Sequence, residues 1–530
     1  MDMMEDLFRR LDKLNAIGAD LSNELNIDRL LESILLAAKT ITHADGGTLY
    51  GVSEDGRHLC FKIGRTDSLK LAFGGTSGAA IPAEFEDLPL YLGNGAPNNA
   101  MIAAYAALHL KPVNIADAYT AAGFDFSGTL KFDRMTGYRS QSFLAVPMKN
   151  HENELIGVLQ LINALDPASG IVREFSDADQ RLAESLASQA AVALTNRQLV
   201  EQLEELFESF INLINLAIDE KSPYTGGHCQ RVPTLTMMLA EAADAASEGP
   251  LADFSMSDVD RRELKIAGLL HDCGKVTTPV HVVDKATKLQ TLFDRIKMID
   301  TRFEVVKRDA EIAMLRAVLA GENQTKAESG LQEQLRAIDD DRTFLRHVNI
   351  GGEAMRPEDQ ERVRRISGHY RWRNSEGHET GFLSDEEIEN LTIRAGTLTH
   401  AERETINHHI VATNRMLGSL PWPKHLKRVP EYAGGHHERM DGKGYPKGLK
   451  REEMSVQARI MGIADIFEAL TARDRPYKSG MKLSQALGIL ANFSRNGHID
   501  PDLFEVFMAQ KIYLRYAEEF LDPSQIDDVG

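Results

Sequence analysis

Three scarcities frame this 530-residue chain. Cysteine is rare: Cys60, Cys229 and Cys273 are the whole supply, and none forms a CxxC spacing. Three cysteines cannot all pair within one chain, so the sequence reads as a protein of a reducing compartment, without a disulfide framework or a structural zinc site. Long apolar runs are missing too. None approaches the roughly 18 residues needed to cross a bilayer. The acidic start Met-Asp-Met-Met-Glu-Asp also lacks the basic segment of a signal peptide. The expected location is the cytoplasm, with no membrane partner. Positive charge is short as well: 60 Lys and Arg stand against 79 Asp and Glu, a formal net charge of −19. That balance argues against a nucleic-acid polymer or an anionic membrane as the main partner. It leaves room for a small anionic ligand, since a metal cluster can carry local positive charge into an acidic protein. Apolar residues make up 43% of the chain, enough for buried cores in about three or four domains.

In the first 42 residues Leu7, Leu11, Leu14, Ile17, Leu21 and Leu25 recur at three- and four-residue steps, which predicts a helix. Asp28 then caps a second helix, Arg29 to Ile41, and Ala44-Asp45-Gly46-Gly47 reads as a turn. Strands are expected at Thr48–Val52, His58–Ile63, Ser142–Pro147 and Leu155–Asn163, and Phe175-Ser176-Asp177 opens a long helix. With "SFLAVPMKNHENELIGVLQLIN" and "FSDADQRLAESLASQAAVALTN", residues 10–197 resemble a GAF domain, a small-molecule sensor or dimerisation module. Some nucleotide-binding GAF domains carry an Asn-Lys…Phe-x-x-x-Asp-Glu pattern. Asn163, Phe175 and Asp179 match it, whereas Ala164 and Gln180 do not. The resemblance therefore implies a small-molecule ligand or a purely structural dimerisation role.

The long helix is expected to run to Lys221. Leu199, Leu203, Leu206, Phe210, Leu213 and Ala217 alternate four- and three-residue steps, the seam of a two-stranded coiled coil. A homodimer is expected on that basis. The expected domains are 1–197, the linker helix 198–221, an all-α domain in two parts (222–289 and 394–520), a helical insertion at 290–393, and a loose tail, 521–530. The insertion reads as an antiparallel helical hairpin followed by a basic stretch around Arg362, Arg364 and Arg365.

The second half is rich in metal-ligand types. Leu-Leu-His-Asp-Cys-Gly-Lys ends an apolar helical run and sets His271 beside Asp272. Adjacent helical residues diverge by about 100°, so two neighbours can reach two ions and one carboxylate can bridge them. His228, His409, His436, His437 and Asp465 add further donors, Asp465 from within the apolar stretch "RIMGIADIFEALTA". Five imidazoles and two carboxylates suffice for two neighbouring divalent ions; Fe, Mn or Zn suits such a mixed N/O set.

The strings "YTGGHCQRV", "LLHDCGKV", "HHERMDGKGYPKGL", "ARIMGIADIFEALTARDRPYK" and "HIDPDLFEVF" resemble the HD-GYP family of cyclic di-GMP phosphodiesterases. The resemblance implies that His228, His271, Asp272 and Asp465 surround one metal ion. Asp272, His409, His436 and His437 surround the second, with Asp272 bridging and water between the ions as nucleophile. Lys275 would face the scissile phosphate. Arg439, Asp441, Gly442, Gly444, Tyr445 and Pro446 form the signature loop, and Arg475 and Lys478 are candidate contacts to the second phosphate. Tyr224 stands where some members hold a third metal with a carboxylate, so two ions are expected; Met440 and Glu468 replace a common Trp and Asp. The implied fold is an α+β GAF-like domain, an antiparallel sheet with helices, joined by a long helix to an all-α HD-type domain. The implied activity is hydrolysis of cyclic di-GMP to linear pGpG or on to GMP, under control of the GAF-like domain. A catalytically silent cyclic di-GMP receptor or protein-docking module, and a phosphodiesterase for another cyclic dinucleotide, are the rival readings.

Overall fold

The computed structural model describes residues 3–24, 26–82, 85, 87–221, 227–352, 354–374, 376–473 and 480–529. It divides into two units, Met1–Phe207 and Glu208–Gly530. Among the described residues no helix is long and apolar enough to cross a membrane.

The first unit opens with α1 (Met3–Asn23) and α2 (Ile27–Thr42). Asn26, not Asp28, caps α2: its side chain accepts the N–H of Arg29, and Asp28 sits inside the first turn. Strands β1 (Ala44–Val52), β2 (His58–Thr66), β3 (Leu71–Gly74) and β4 (Leu88–Pro89) follow, then α3 (Ile102–His109), β5 (Val113–Ile115), α4 (Ser127–Thr136), β6 (Phe143–Lys149), β7 (Leu155–Leu165) and β8 (Val172–Arg173). The antiparallel sheet has the order β3-β2-β1-β7-β6-β5, with β4 on β2 and β8 on β7. Side chains alternate across it. Leu144, Val146 and Met148 join α2 and the long helix α5 (Asp177–Lys221) in one core, while Phe143 and Ala145 face α3 in the other.

The Gly46-Gly47 pair does not turn; it lies in β1, paired with Thr66 and Arg65. A Cβ on Gly47 would stand 2.9 Å from Leu35 Cδ1 and 3.1 Å from the Gln160 carbonyl oxygen. The glycines are there so that α2 and β7 can press on the strand, which local turn chemistry cannot distinguish from a loop.

The second unit is helical. It contains α6 (His228–Asp244), α7 (Asp258–Leu270), the short α8 (Val280–Val283), α9 (Ile296–Leu319), α10 (Gln324–Asn349) and α11 (Pro357–His369). A hairpin of β9 (Arg371–Arg373) and β10 (Glu379–Gly381) leads to α12 (Asp385–Leu391), α13 (His400–Gly418), α14 (Val429–Gly434), α15 (Val456–Thr471), α16 (Leu483–Arg495), α17 (Pro501–Ala509) and α18 (Ile512–Phe520). Helices α6, α7, α13, α14 and α15 pack together around the candidate site. The insertion is not purely helical, because it carries the β9–β10 hairpin. It has its own core, in which Phe303, Ile338, Val363, Phe382 and Leu391 are fully buried. Its basic stretch is largely neutralised at Arg362, which pairs with Asp340 and Asp341. The tail is docked rather than loose: Gln525 is buried and donates to the Thr471 and Met481 carbonyls, and Asp527 accepts from Ser484.

Candidate metal centre

Helix α7 stops at Leu270, so His271 and Asp272 straddle its end instead of lying within it. The chain then tightens into a 3-10 turn, Cys273–Thr277. Gly274 permits this turn to lie on α13: a Cβ there would be 2.0 Å from the His409 carbonyl oxygen. Its N–H donates to Thr413 Oγ1, whose hydroxyl in turn donates to the His271 carbonyl. Two histidine-bearing segments far apart in sequence are thereby locked side by side.

Asp272 is the hub, buried to 2% exposure. Its Oδ2 lies 3.0 Å from His228 Nε2 and 3.3 Å from His271 Nε2; its Oδ1 lies 3.3 Å from His409 Nε2. One oxygen thus faces each half of the cluster. Asp465, on α15, places Oδ1 3.5 Å from His228 Nε2 and 3.9 Å from His271 Nε2. His437 Nε2 is 3.1 Å from His409 Nε2, and the His436 ring stands 4.9 Å from that of His271. Two triads emerge, His228/His271/Asp272 and His409/His436/His437, each with candidate ligand atoms within 4.8 Å of one another.

Three of these imidazoles are oriented by one device. The Nδ1–H groups of His271, His409 and His436 donate to the carbonyls three residues earlier, Gly268, Ile406 and Ala433, at 2.6–2.7 Å. This sets the tautomer and leaves Nε2 with its lone pair. The Nε2 atoms of His271 and His436 are buried and have no hydrogen-bond partner among the described residues. Ring nitrogens turned inward beside two carboxylates, with a cost for each unmet acceptor, are a donor set that fits divalent cations.

The electrostatics agree. Burial would push the Asp272 carboxyl up, but Lys275 and His271 hold it well below the usual range. Burial likewise raises Asp465, yet His436 and His228 carry it lower. Burial drives His436 well below its ordinary value and His437 down to about 4. His228 goes the other way: burial lowers it, but hydrogen bonds to Asp272 and Glu468 lift it to about 9. Both of its ring nitrogens face carboxylates, Nδ1 toward Glu468 and Nε2 toward Asp272.

The signature loop folds around Glu438, buried to 4% exposure. Its carboxylate accepts the N–H groups of Lys447 and Leu449 at 2.7 and 2.9 Å. Gly444 is required there, because a Cβ would meet Glu438 Cα at 2.4 Å. Tyr445 stacks on His437, with ring centroids 4.9 Å apart. Arg439 is ion-paired with Asp441 at 2.9 Å. Lys275 Nζ pairs with Asp272 Oδ2. Arg475, Lys478 and Tyr224 lie outside the described residues.

Sequence-family comparison matches residues 26–194 to the GAF domain, 225–345 to the HD domain and 379–503 to a second HD domain description. The chain joins a GAF domain to an HD domain of the HD-GYP type. Over 113 residues the HD-GYP region is similar to the 3'3'-cGAMP-specific phosphodiesterase 3 of Vibrio cholerae, at 41% identity, covering 21% of this chain and 23% of that protein. Over 115 residues it is 37% identical to the cyclic di-GMP phosphodiesterase PA4108 of Pseudomonas aeruginosa, covering 22% and 27%. The chain thus spans less than a third of either relative. The GAF domain of an Acinetobacter phosphoenolpyruvate-protein phosphotransferase is 16% identical, with a TM-score of 0.27, over 38% of this chain and 99% of that one.

Sequence reasoning noted Glu468 of the HD-GYP domain only as a departure. The structure gives it a position: fully buried on α15, it accepts from His228 Nδ1 at 2.5 Å and from Arg231 at 2.7 Å. A signal was present, a second carboxylate three residues after Asp465 on the same apolar helix. The three backbone carbonyls that orient His271, His409 and His436 left no trace in residue identity.

Proposed function

We propose that this chain is a metal-dependent phosphodiesterase that opens cyclic di-GMP to linear pGpG, with GMP as a further product. The observation that carries this reading is the pair of buried Nε2 atoms of His271 and His436, without a hydrogen-bond partner among the described residues, together with the Asp272 carboxylate, which turns Oδ2 toward His271 of one triad and Oδ1 toward His409 of the other. His228, His271, Asp272 and Asp465 would hold one ion; Asp272, His409, His436 and His437 the other, with Fe, Mn or Zn compatible. Such ions, when bound, supply acidified water and neutralise phosphate charge. Lys275 would add a cation beside the phosphate or a proton for the departing alkoxide. Arg439, Asp441, Gly444 and Tyr445 are proposed as substrate contacts, Arg439 sharing its guanidinium between Asp441 and the ligand.

The linker supports a homodimer. Leu199, Leu203, Leu206, Phe210 and Leu213 on α5 are each about half exposed, while Ile211 and Ile218 on another face are buried. Packing within the chain uses one stripe of the helix and leaves the heptad stripe for a second copy. In this reading a small molecule bound by the GAF domain acts through that helix.

A second reading, 3'3'-cGAMP as substrate, is favoured by the similarity to the Vibrio enzyme. Protein loaded with metal is to be incubated with each cyclic dinucleotide, and the linear product followed by chromatography. The expected outcome is linear product from cyclic di-GMP; product from 3'3'-cGAMP alone selects the second reading. No product from either, with two ions bound per chain, rejects the enzyme.

A further inference from the structure

The 3-10 turn Cys273–Thr277 carries Lys275 and follows directly on Asp272. Like any helix end, it leaves carbonyls without intrahelical partners. Lys221 answers them. Its ammonium donates to the Lys275 carbonyl at 3.1 Å, the Val276 carbonyl, and the Thr278 carbonyl at 2.6 Å. An ammonium has three donors and no acceptor, so its full capacity is directed at this one turn. The charge also lies where a helical C-terminus favours a cation. A lysine serving only solubility would extend into water and leave the turn hydrated.

Lys221 is the last residue of α5, the helix that begins in the GAF unit at Asp177. The end of α5 therefore holds the turn after Asp272. The turn is tied on its other side as well, since Lys275 donates its N–H to the Asp272 carbonyl at 2.9 Å and its ammonium to the Asp272 carboxylate.

We propose that Lys221 is a positioning residue: by gripping the carbonyls of residues 275, 276 and 278, it makes the position of the end of α5 set the position of Lys275 and Asp272. The role given to Lys275 rests on the phosphodiesterase reading; the clamp itself does not. A shift of the helix end then moves the catalytic turn, and misplacement by about 1 Å is enough to cost a large part of the rate.

The test uses the full chain with Lys221→Met, which keeps the unbranched stem and loses every donor, and Lys221→Arg, which restores donors. In metal-free protein, amide hydrogen exchange at residues 274–279 is expected to quicken by about tenfold in Lys221→Met and to stay near wild type in Lys221→Arg, with α13 and α15 unchanged in both. In metal-loaded protein, kcat for the cyclic dinucleotide is expected to fall by about tenfold in Lys221→Met with KM unchanged, and Lys221→Arg to recover most of it. Wild-type exchange at 274–279 in Lys221→Met overturns the proposal. So does a uniform rise across the HD unit, which would make Lys221 an ordinary stabilising contact. Should wild-type protein turn over no cyclic dinucleotide, the phosphodiesterase reading fails and the exchange measurement alone decides the clamp.

Discussion

Both halves of the chain bury polar side chains, and they use them in opposite ways. In the GAF domain Asn163 is fully employed: its carbonyl oxygen accepts the N–H groups of Gln141 and Ser142, and its amide donates to the Arg139 carbonyl. Asp179, with no exposed surface, binds Arg10, Arg173 and Ser176. Phe175 is core. All three residues that match a nucleotide-binding GAF pattern are spent on the fold. In the HD domain the equally buried imidazoles of His271 and His436 end in acceptors that meet no hydrogen-bond donor among the described residues. A satisfied polar network stabilises one conformation; an unsatisfied one costs free energy that a ligand can return. The identity of a buried polar residue thus says less about function than whether its hydrogen bonds close within the chain.

The severest way to break this contrast is Asp272→Ala. Removing the carboxylate that faces both triads is expected to leave metal content near zero by elemental analysis and to lower hydrolysis by at least roughly a thousandfold. His228→Ala touches one triad and should mainly weaken one ion. Equal metal content in the two variants and the wild type would refute the shared carboxylate. The matching change in the GAF domain is Asp179→Ala. It strands Arg10 and Arg173, of which Arg173 keeps 29% exposure, and should cost about 3 kcal/mol, read as faster hydrogen exchange over residues 26–194 with metal content intact. The sign of its pH dependence follows from its surroundings. Burial raises the Asp179 carboxyl, but hydrogen bonds from Arg173, Ser176 and Arg10 bring it below the ordinary 3.8. The stability it contributes is present above that value and is lost as pH falls further. Asp179→Asn is expected to flatten the acid limb; an unchanged limb would show that the carboxylate does not control it.

What the sequence made legible follows from the range of the forces involved. Helix α7 follows local rules at its start, where Ser257 and Asp260 form a capping box, and along the apolar stripe that runs to Leu270. The seven candidate ligands are readable as chemical types, and their convergence comes with the HD-GYP resemblance, not with periodicity. Gly46 and Gly47 misled because a glycine that admits a neighbouring helix looks, locally, like one that turns the chain. Asp500 in "HIDPDLFEVF" lies far from any local rule as well: it caps α17 and binds Arg451 and Arg459, a structural use that spacing alone does not separate from a ligand. The His–Asp pair was expected within a helix and instead straddles its end, since Gly274 and Thr413, contacts 139 residues apart, bend the chain there.

Glu468 sharpens the comparison most finely, because it is a closed hydrogen bond in the service of an open site. It accepts from His228 Nδ1 and is held by Arg231. In the GAF domain such a carboxylate ends its influence at the fold; here it fixes the ring whose other nitrogen faces Asp272. Partners of this kind commonly alter metal affinity by about 10–100-fold when removed. Glu468→Ala is expected to weaken metal binding within that range, measured by competition with a chelator, and to leave the His409/His436/His437 triad able to bind. Glu468→Gln keeps an acceptor oxygen for Nδ1 and should lose less than Glu468→Ala. If both variants bound metal as wild type does, Glu468 would be another satisfied buried polar group like Asp179, and the orientation of His228 would have to come from the packing of α6 alone.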